Sequence, residues 1–215
     1  MKLITKDNLL EKLRAYSSTT DDDNIRYKEI IKTELLKCPE LLYALDEKKF
    51  EEELFTSDGK INVDDNGQPL GQWEDFFGAN SNIRPFINFP ETQTNVNNYL
   101  CYQVGFDALP SSASSLKKYT EIIFTIFANG KDGIDKYTGI ARHDLIASIL
   151  REKFNWSSIF GMEAKLIYSR ESLTDNTYLT RVLKFEIEDL NGISYTPFKE
   201  ESYIRNNEYW TQNNT

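Results

Sequence analysis

The hydrophobic positions of this 215-residue chain change their period several times. Leu9, Leu10 and Leu13 open a short amphipathic start, and Ile25, Ile30, Ile31, Leu35 and Leu36 recur at near-helical spacing, which predicts a helix over residues 24–36. Asp21, Asp22 and Asp23 stand just before it, where negative charge suits the positive end of the helix dipole and an Asp side chain can cap free amides. That run therefore reads as a solvated cap. From Ile61 the text becomes INVDDNGQPLGQW, and Asn66-Gly67 between short apolar runs predicts a hairpin near 61–70, because both residues tolerate positive φ. Residues 79–98 are polar, aperiodic and hold two prolines, which reads as an extended connector or arm. Ile83, Pro85, Phe86, Ile87 and Phe89 make it too apolar to hang free, so it is expected to lie against something.

At Tyr99 the period becomes two. In YLCYQVGF, Leu100, Tyr102, Val104 and Phe106 fall on one face of a strand. In KYTEIIFTIFANG, Ile122, Phe124 and Ile126 face one way and Ile123 and Phe127 the other, which marks a central strand buried on both sides. NGKDG at 129–133 supplies a break, and a helix follows in GIARHDLIASILREKFNW. Two more strands are expected at 162–169 and 178–189, joined by RESLTDNT; in the second, Leu179, Leu183, Phe185 and Ile187 share a dry face, and Thr180, Lys184, Glu186 and Glu188 a wet one.

The expected fold is thus α+β: a small mixed or antiparallel sheet of about four strands packed against one central helix. The expected organisation is a helical N-terminal extension over 1–78, a connector over 79–98, the α+β core over 99–192 and a tail over 193–215. In that tail Tyr203, Tyr209 and Trp210 stand among Asn and charge without a period, and docking on a neighbour or fraying are both open to it.

Charge sharpens this division. The first 78 residues hold 11 Lys or Arg against 18 Asp or Glu, so they carry −7 of the chain's net −9. Such a balance argues against a direct grip on nucleic acid, since phosphate binding needs clustered cations. Cys38 and Cys101 lie far apart and outside any CxxC pattern, so neither a disulfide framework nor a zinc knuckle is implied. No apolar run reaches the roughly 18 residues that a membrane span requires, and no membrane association is expected.

Candidate chemistry centres on Arg142-His143-Asp144, which contains the chain's one histidine. At about 100° per helical residue, with Leu145 at zero, Ile149 falls at about 40°, Ile146 at about 100°, Leu150 at about 140° and Phe154 at about 180°. Arg142 then points at about 60°, into the buried face, while His143 lies at its margin at about 160° and Asp144 in water at about 260°. Three diverging side chains do not converge on one substrate atom, so the expected roles are structural, with Arg142 a candidate for a buried or interface partner. A second candidate, NVDDNGQPLGQWE, resembles a calcium loop through Asn62, Asp64 and Asn66 before Gly67, but its twelfth position is Trp73 where the bidentate Glu belongs. No catalytic, metal-binding or cofactor-binding residue is assigned.

The run from NIRPFINFPETQTNVNNYLCYQVGFDALP through YTEIIFTIFANGKDGIDKYTGIARHDL, FNWSSIFG and YLTRVLKFEIED, over residues 82–192, resembles the neck proteins of tailed bacteriophages, of the tail-terminator or head-tail-joining kind. The resemblance implies a virion structural protein of the neck, made in the host cytoplasm, that assembles as a ring, commonly of six subunits. Such a ring caps the tail tube and sheath and meets the head connector, without catalysis. On this reading Arg142, Tyr203, Tyr209 and Trp210 are candidate interface residues. The alternatives are a head-completion or connector subunit of the same neck, and a metal-dependent hydrolase using the Asp64 region.

Overall fold

The structure, a computed structural model, describes residues 6–7, 9–11, 13, 23–60, 65, 73–87, 98–108, 117–173 and 178–190. The hairpin expected near 61–70 and the tail with Tyr203, Tyr209 and Trp210 lie outside the described residues, Asp65 excepted. The architecture is α+β. Helices α1 (Asp23–Leu36), α2 (Pro39–Leu45) and α3 (Glu47–Leu54) precede strands β1 (Ile83–Arg84), β2 (Tyr99–Ala108) and β3 (Lys117–Asn129). Helix α4 (Arg142–Phe154) then leads to β4 (Ala164–Leu173) and β5 (Tyr178–Leu190). Among the described residues no helix is long and apolar enough to cross a membrane.

The five strands form one sheet in the order β1-β2-β3-β5-β4. All neighbours pair antiparallel except β1, which runs parallel to β2 with Ile83 opposite Leu100 and Arg84 opposite Cys101. The sheet is therefore mixed. Because β5 inserts between β3 and β4, those two run parallel, and α4 is the crossover that joins them over one face. The connector supplies the strand beyond the four expected. Ile83 is the apolar residue that fixes it, since its side chain is fully buried.

On the covered face, Leu100, Tyr102, Ile122, Phe124, Ile126, Leu183, Phe185 and Ile187 are all buried, in the alternation the sequence predicts. Against them pack Ile146, Leu150 and Phe154 of α4 and the Tyr27, Ile31 and Leu35 stripe of α1, which recurs every four residues. Phe154 sits at the centre, with ring centroids 5.1 Å from Phe124, 5.9 Å from Phe160 and 6.2 Å from Phe185. Burying each such ring contributes about 1.5–3 kcal/mol. Residues 23–50 thus share one core with the sheet.

The opposite face has two characters. At one end Tyr99, Cys101, Phe127 and Tyr178 form a second buried cluster, with the Arg84 guanidinium 4.1 Å from the Tyr99 ring centroid. Further along, Lys184 pairs with Glu121 across the strands and Glu188 is exposed, so the wet side predicted for β5 begins partway along it. Strand β4 runs on to Leu173, beyond its expected end, because Arg170, Glu171 and Ser172 keep register with Val182, Arg181 and Thr180. A bulge between Leu166 and Tyr168 turns Ile167 outward.

Candidate functional site: two polar clusters at the start of the central helix

Helix α4 begins with two large polar residues that are both almost wholly buried, Arg142 and His143. Six residues of the helix are buried, Arg142, His143, Ile146, Ala147, Leu150 and Phe154, while Leu145 and Ile149 are only partly so. The dry face is therefore rotated by roughly 60° towards His143 from the centre that apolar spacing predicts. The cause is tertiary. Helix α4 lies between α2 on one flank and β4 and β5 on the other, and the sheet side takes in His143 and Ala147.

Arg142 turns inward within the subunit. Its Nε donates to the Asp132 carbonyl at 3.0 Å, Nη1 to the Ala44 carbonyl at 3.0 Å and Nη2 to Asp132 Oδ1 at 3.1 Å, and Asp135 Oδ1 lies 3.8 Å away. Ala44 belongs to the last turn of α2, where carbonyls lack helical partners and a cation is favoured by the dipole. Helix α2 has no basic residue of its own in that turn, so Arg142 supplies the charge from 98 residues away. Asn98 acts beside it. Its Nδ2 donates to the Leu45 carbonyl at 3.1 Å and to Asp132 Oδ2 at 3.3 Å, while its Oδ1 accepts from the Asn129 amide at 2.9 Å. Arg142 and Asn98 together tie α2 to β2, β3 and α4.

The same cluster fixes the loop over residues 134–141. Asp135 accepts from the Thr138 amide at 2.8 Å and the Thr138 hydroxyl at 2.7 Å, and the Asp135 amide donates to the Ile140 carbonyl at 2.9 Å. Gly139 closes the turn at φ +69°, a conformation that side-chain-bearing residues avoid. Burial pushes the Asp135 carboxyl up, but the two Thr138 hydrogen bonds and the Arg142 charge outweigh it and hold the group below the ordinary Asp value.

His143 enters a different environment. Its Nε2 lies 3.3 Å from Glu171 Oε1 of β4 and 3.5 Å from Asp144 Oδ1, yet neither ring nitrogen makes a hydrogen bond. Arg181 of β5 reaches both carboxylates, at 2.5 Å from Asp144 and 3.8 Å from Glu171, and donates to Ser169 Oγ at 3.2 Å. His143 and Asp144 thus meet through the sheet although helical geometry separates them. Asp144, Ala147, Ser148, Arg151, Ser169, Arg181 and Leu183 line a cavity of about 150 Å³ beside this cluster.

The arrangement constrains its own chemistry. Ser169 Oγ accepts from Arg181 and neither His143 nitrogen makes a hydrogen bond, so the nucleophile–base contact of a Ser-His pair is not made. Arg181 already neutralises the carboxylates a cation would need, and among the described residues no group of three His, Cys, Asp or Glu could hold a metal. Burial pushes the Cys38 thiol up, away from the thiolate form. Residues 62–74, with Asn62, Asp64 and Asn66, lie outside the described residues apart from Asp65 and 73–74. Asn98, Asp132 and Asp135 were not singled out by sequence, since they sit in aperiodic polar text.

The model of the YomW family matches residues 39–187, more than two thirds of the chain, from the start of α2 to the end of the β4–β5 pairing. No curated protein matches the chain.

Proposed function

The chain belongs to the YomW family, a phage-associated one, and we propose from that premise that it is a structural protein of the phage neck. It acts as a tail terminator: copies close into a ring that caps the tail tube and sheath and presents a surface to the head connector. Its work is assembly, in the virion and first in the host cytoplasm, and catalysis has no part in it.

One observation carries this reading. Strand β4 ends the sheet, and among the described residues no strand pairs its outer edge. Its residues are exposed from Ile167 to Ser172; Lys165, Arg170, Glu171 and the bulge guard part of this edge, while Ile167 and Tyr168 offer apolar side chains to solvent. An unpaired edge with exposed apolar side chains is a surface open to a second chain. Rings of identical subunits need contacts between two different surfaces that close on themselves. Tyr203, Tyr209 and Trp210 are proposed as further interface residues of the C-terminal arm.

Electron microscopy of the purified protein and of the particle is expected to show a closed ring, six subunits being the expected number. A monomer in both settings overturns the reading. Particles lacking the protein are expected to carry tails of uncontrolled length; finished tails beside leaking heads would place the subunit in head completion instead.

A further inference from the structure

His143, the chain's one histidine, is 3 % exposed, and neither of its ring nitrogens makes a hydrogen bond. A buried polar group without a partner is costly unless some state of the molecule supplies one. Its surroundings are far from apolar. Nε2 lies 3.3 Å from Glu171 Oε1 on β4 and 3.5 Å from Asp144 Oδ1 on its own helix, distances from which a hydrogen bond needs only reorientation. The two carboxylate side chains are 56 and 40 % exposed, so protons from solvent come within one side chain of the ring.

The charges that face the imidazole come from each element packed on the start of α4. Helix α4 itself offers Asp144. Arg142, next in sequence, turns away to Asp132 and Asp135, and exposed Arg151 stands seven residues beyond Asp144, about 10 Å along the helix. Helix α2 packs on the opposite flank, where its Ala44 carbonyl takes Arg142. Strand β4 offers Glu171, and β5 offers its register partner Arg181, which lies 2.5 Å from Asp144 and 3.8 Å from Glu171. Strand β3 places Ile126 opposite Arg181 and adds no charge there. Among the described residues, two carboxylates thus meet one guanidinium beside the ring, a net of −1 that a proton on the imidazole would neutralise. The amides of the first helical turn oppose a cation at this position, and Asp144 on the same turn offsets them.

We propose that His143 is a proton-operated clasp between helix α4 and the edge strand β4. The neutral ring holds one hydrogen and leaves Glu171 to Arg181. A proton from water adds to the ring nitrogen that lacks one, no other covalent bond changes, and the imidazolium donates from Nε2 to Glu171 as a charge-assisted hydrogen bond. Histidine changes its charge between about pH 5 and 8, so the clasp is closed on the acid side of that range and open on the other. It fastens the far half of β4, a strand that β5 alone pairs among the described residues. Only one subunit is needed, so the clasp is independent of the ring reading above.

Amide hydrogen exchange of the full chain tests it, with variants compared to wild type at the same pH so that intrinsic rates cancel. Glu171→Gln keeps the shape of an exposed side chain and leaves Asp144 on Arg181, and His143→Leu keeps roughly the volume of the ring, so both are expected to retain the wild-type circular-dichroism spectrum. In either variant, exchange over residues 169–172 is expected to stay within about twofold of wild type at about pH 8 and to become at least about tenfold faster at about pH 5, the effect of one lost hydrogen bond to a charged group. The double variant is expected to be no faster than the singles. A second readout needs no variant: with one histidine in the chain, nitrogen NMR is expected to show one ring nitrogen protonated at about pH 8 and both at about pH 5. Exchange ratios that do not change with pH, or a ring that stays neutral at about pH 5, overturn the clasp. An acid-side effect of Asp144→Asn without one of Glu171→Gln overturns it too, because the proton would then be held within α4 alone.

Discussion

Arg142 and His143 are neighbours in sequence, equally buried, and opposite in how they are satisfied. The guanidinium has three donated hydrogen bonds and two carboxylates around it, while the imidazole has carboxylates near Nε2 but no hydrogen bond at either nitrogen. Burial alone therefore says little about a polar residue. What distinguishes them is the partner surface: Arg142 meets backbone carbonyls that need donors, and His143 meets side chains that Arg181 already engages. The first cluster is a joint between elements; the second borders a cavity and has room left in it.

Breaking the joint is expected to have the largest effect. Arg142→Ala leaves the Asp132 and Ala44 carbonyls without their donor and Asp132 and Asp135 without their counter-ion, and disrupting a buried ion pair from one side costs about 3–5 kcal/mol. For a chain of this size that lowers Tm by on the order of 10 °C, readable by thermal denaturation. Arg142→Lys keeps the charge without the planar fork and is expected to recover only a minor part, because one ammonium cannot reach Asp132 and Ala44 in the same geometry. A loss under about 1 kcal/mol for Arg142→Ala would show that α2 and the loop are held by other means.

Asp135→Asn tests the same joint more gently and adds a pH dependence. It is expected to cost about 1.5–3 kcal/mol at neutral pH, the range for a hydrogen bond to a charged group. Because the folded carboxyl is held below its ordinary value, its contribution is present above the unfolded pKa of about 3.9 and is lost as pH falls through the lower folded value. Urea titrations of the two proteins should therefore differ by a constant amount from about pH 5 to 7 and converge in acid. A difference that grows on acidification would contradict the assigned direction.

These clusters also show where sequence is readable. Alternation located β2, β3 and β5, and the near-helical spacing of Ile31 and Leu35 located α1, because each element meets one broad apolar neighbour. Helices α2 and α3 left no such trace: PELLYAL is a single short turn pair and EKKFEEEL is eight residues with Phe50 buried, so neither is long enough to show a period. The inward turn of Arg142 was legible from helical angle alone. Its partners were not, since Ala44, Asn98 and Asp132 meet it through folding over as many as 98 residues of chain. The burial of His143 escaped for the same reason, as the rotation of α4 is set by β4 and β5 and by α2 rather than by its own apolar residues.

The smallest expected effect is at His143, and it sharpens the comparison most. Leucine is close to histidine in volume and brings no polar atom, so His143→Leu removes two buried nitrogens that make no hydrogen bond. Replacing an unsatisfied buried polar group by an apolar one of similar shape is near neutral or stabilising, whereas Glu171 and Asp144 keep Arg181 as their counter-ion. Chemical denaturation is expected to place His143→Leu within about 1 kcal/mol of wild type, on either side. A loss as large as that of Arg142→Ala would mean that His143 is as firmly bonded as its neighbour, and the distinction between the bonded guanidinium and the unbonded imidazole would collapse.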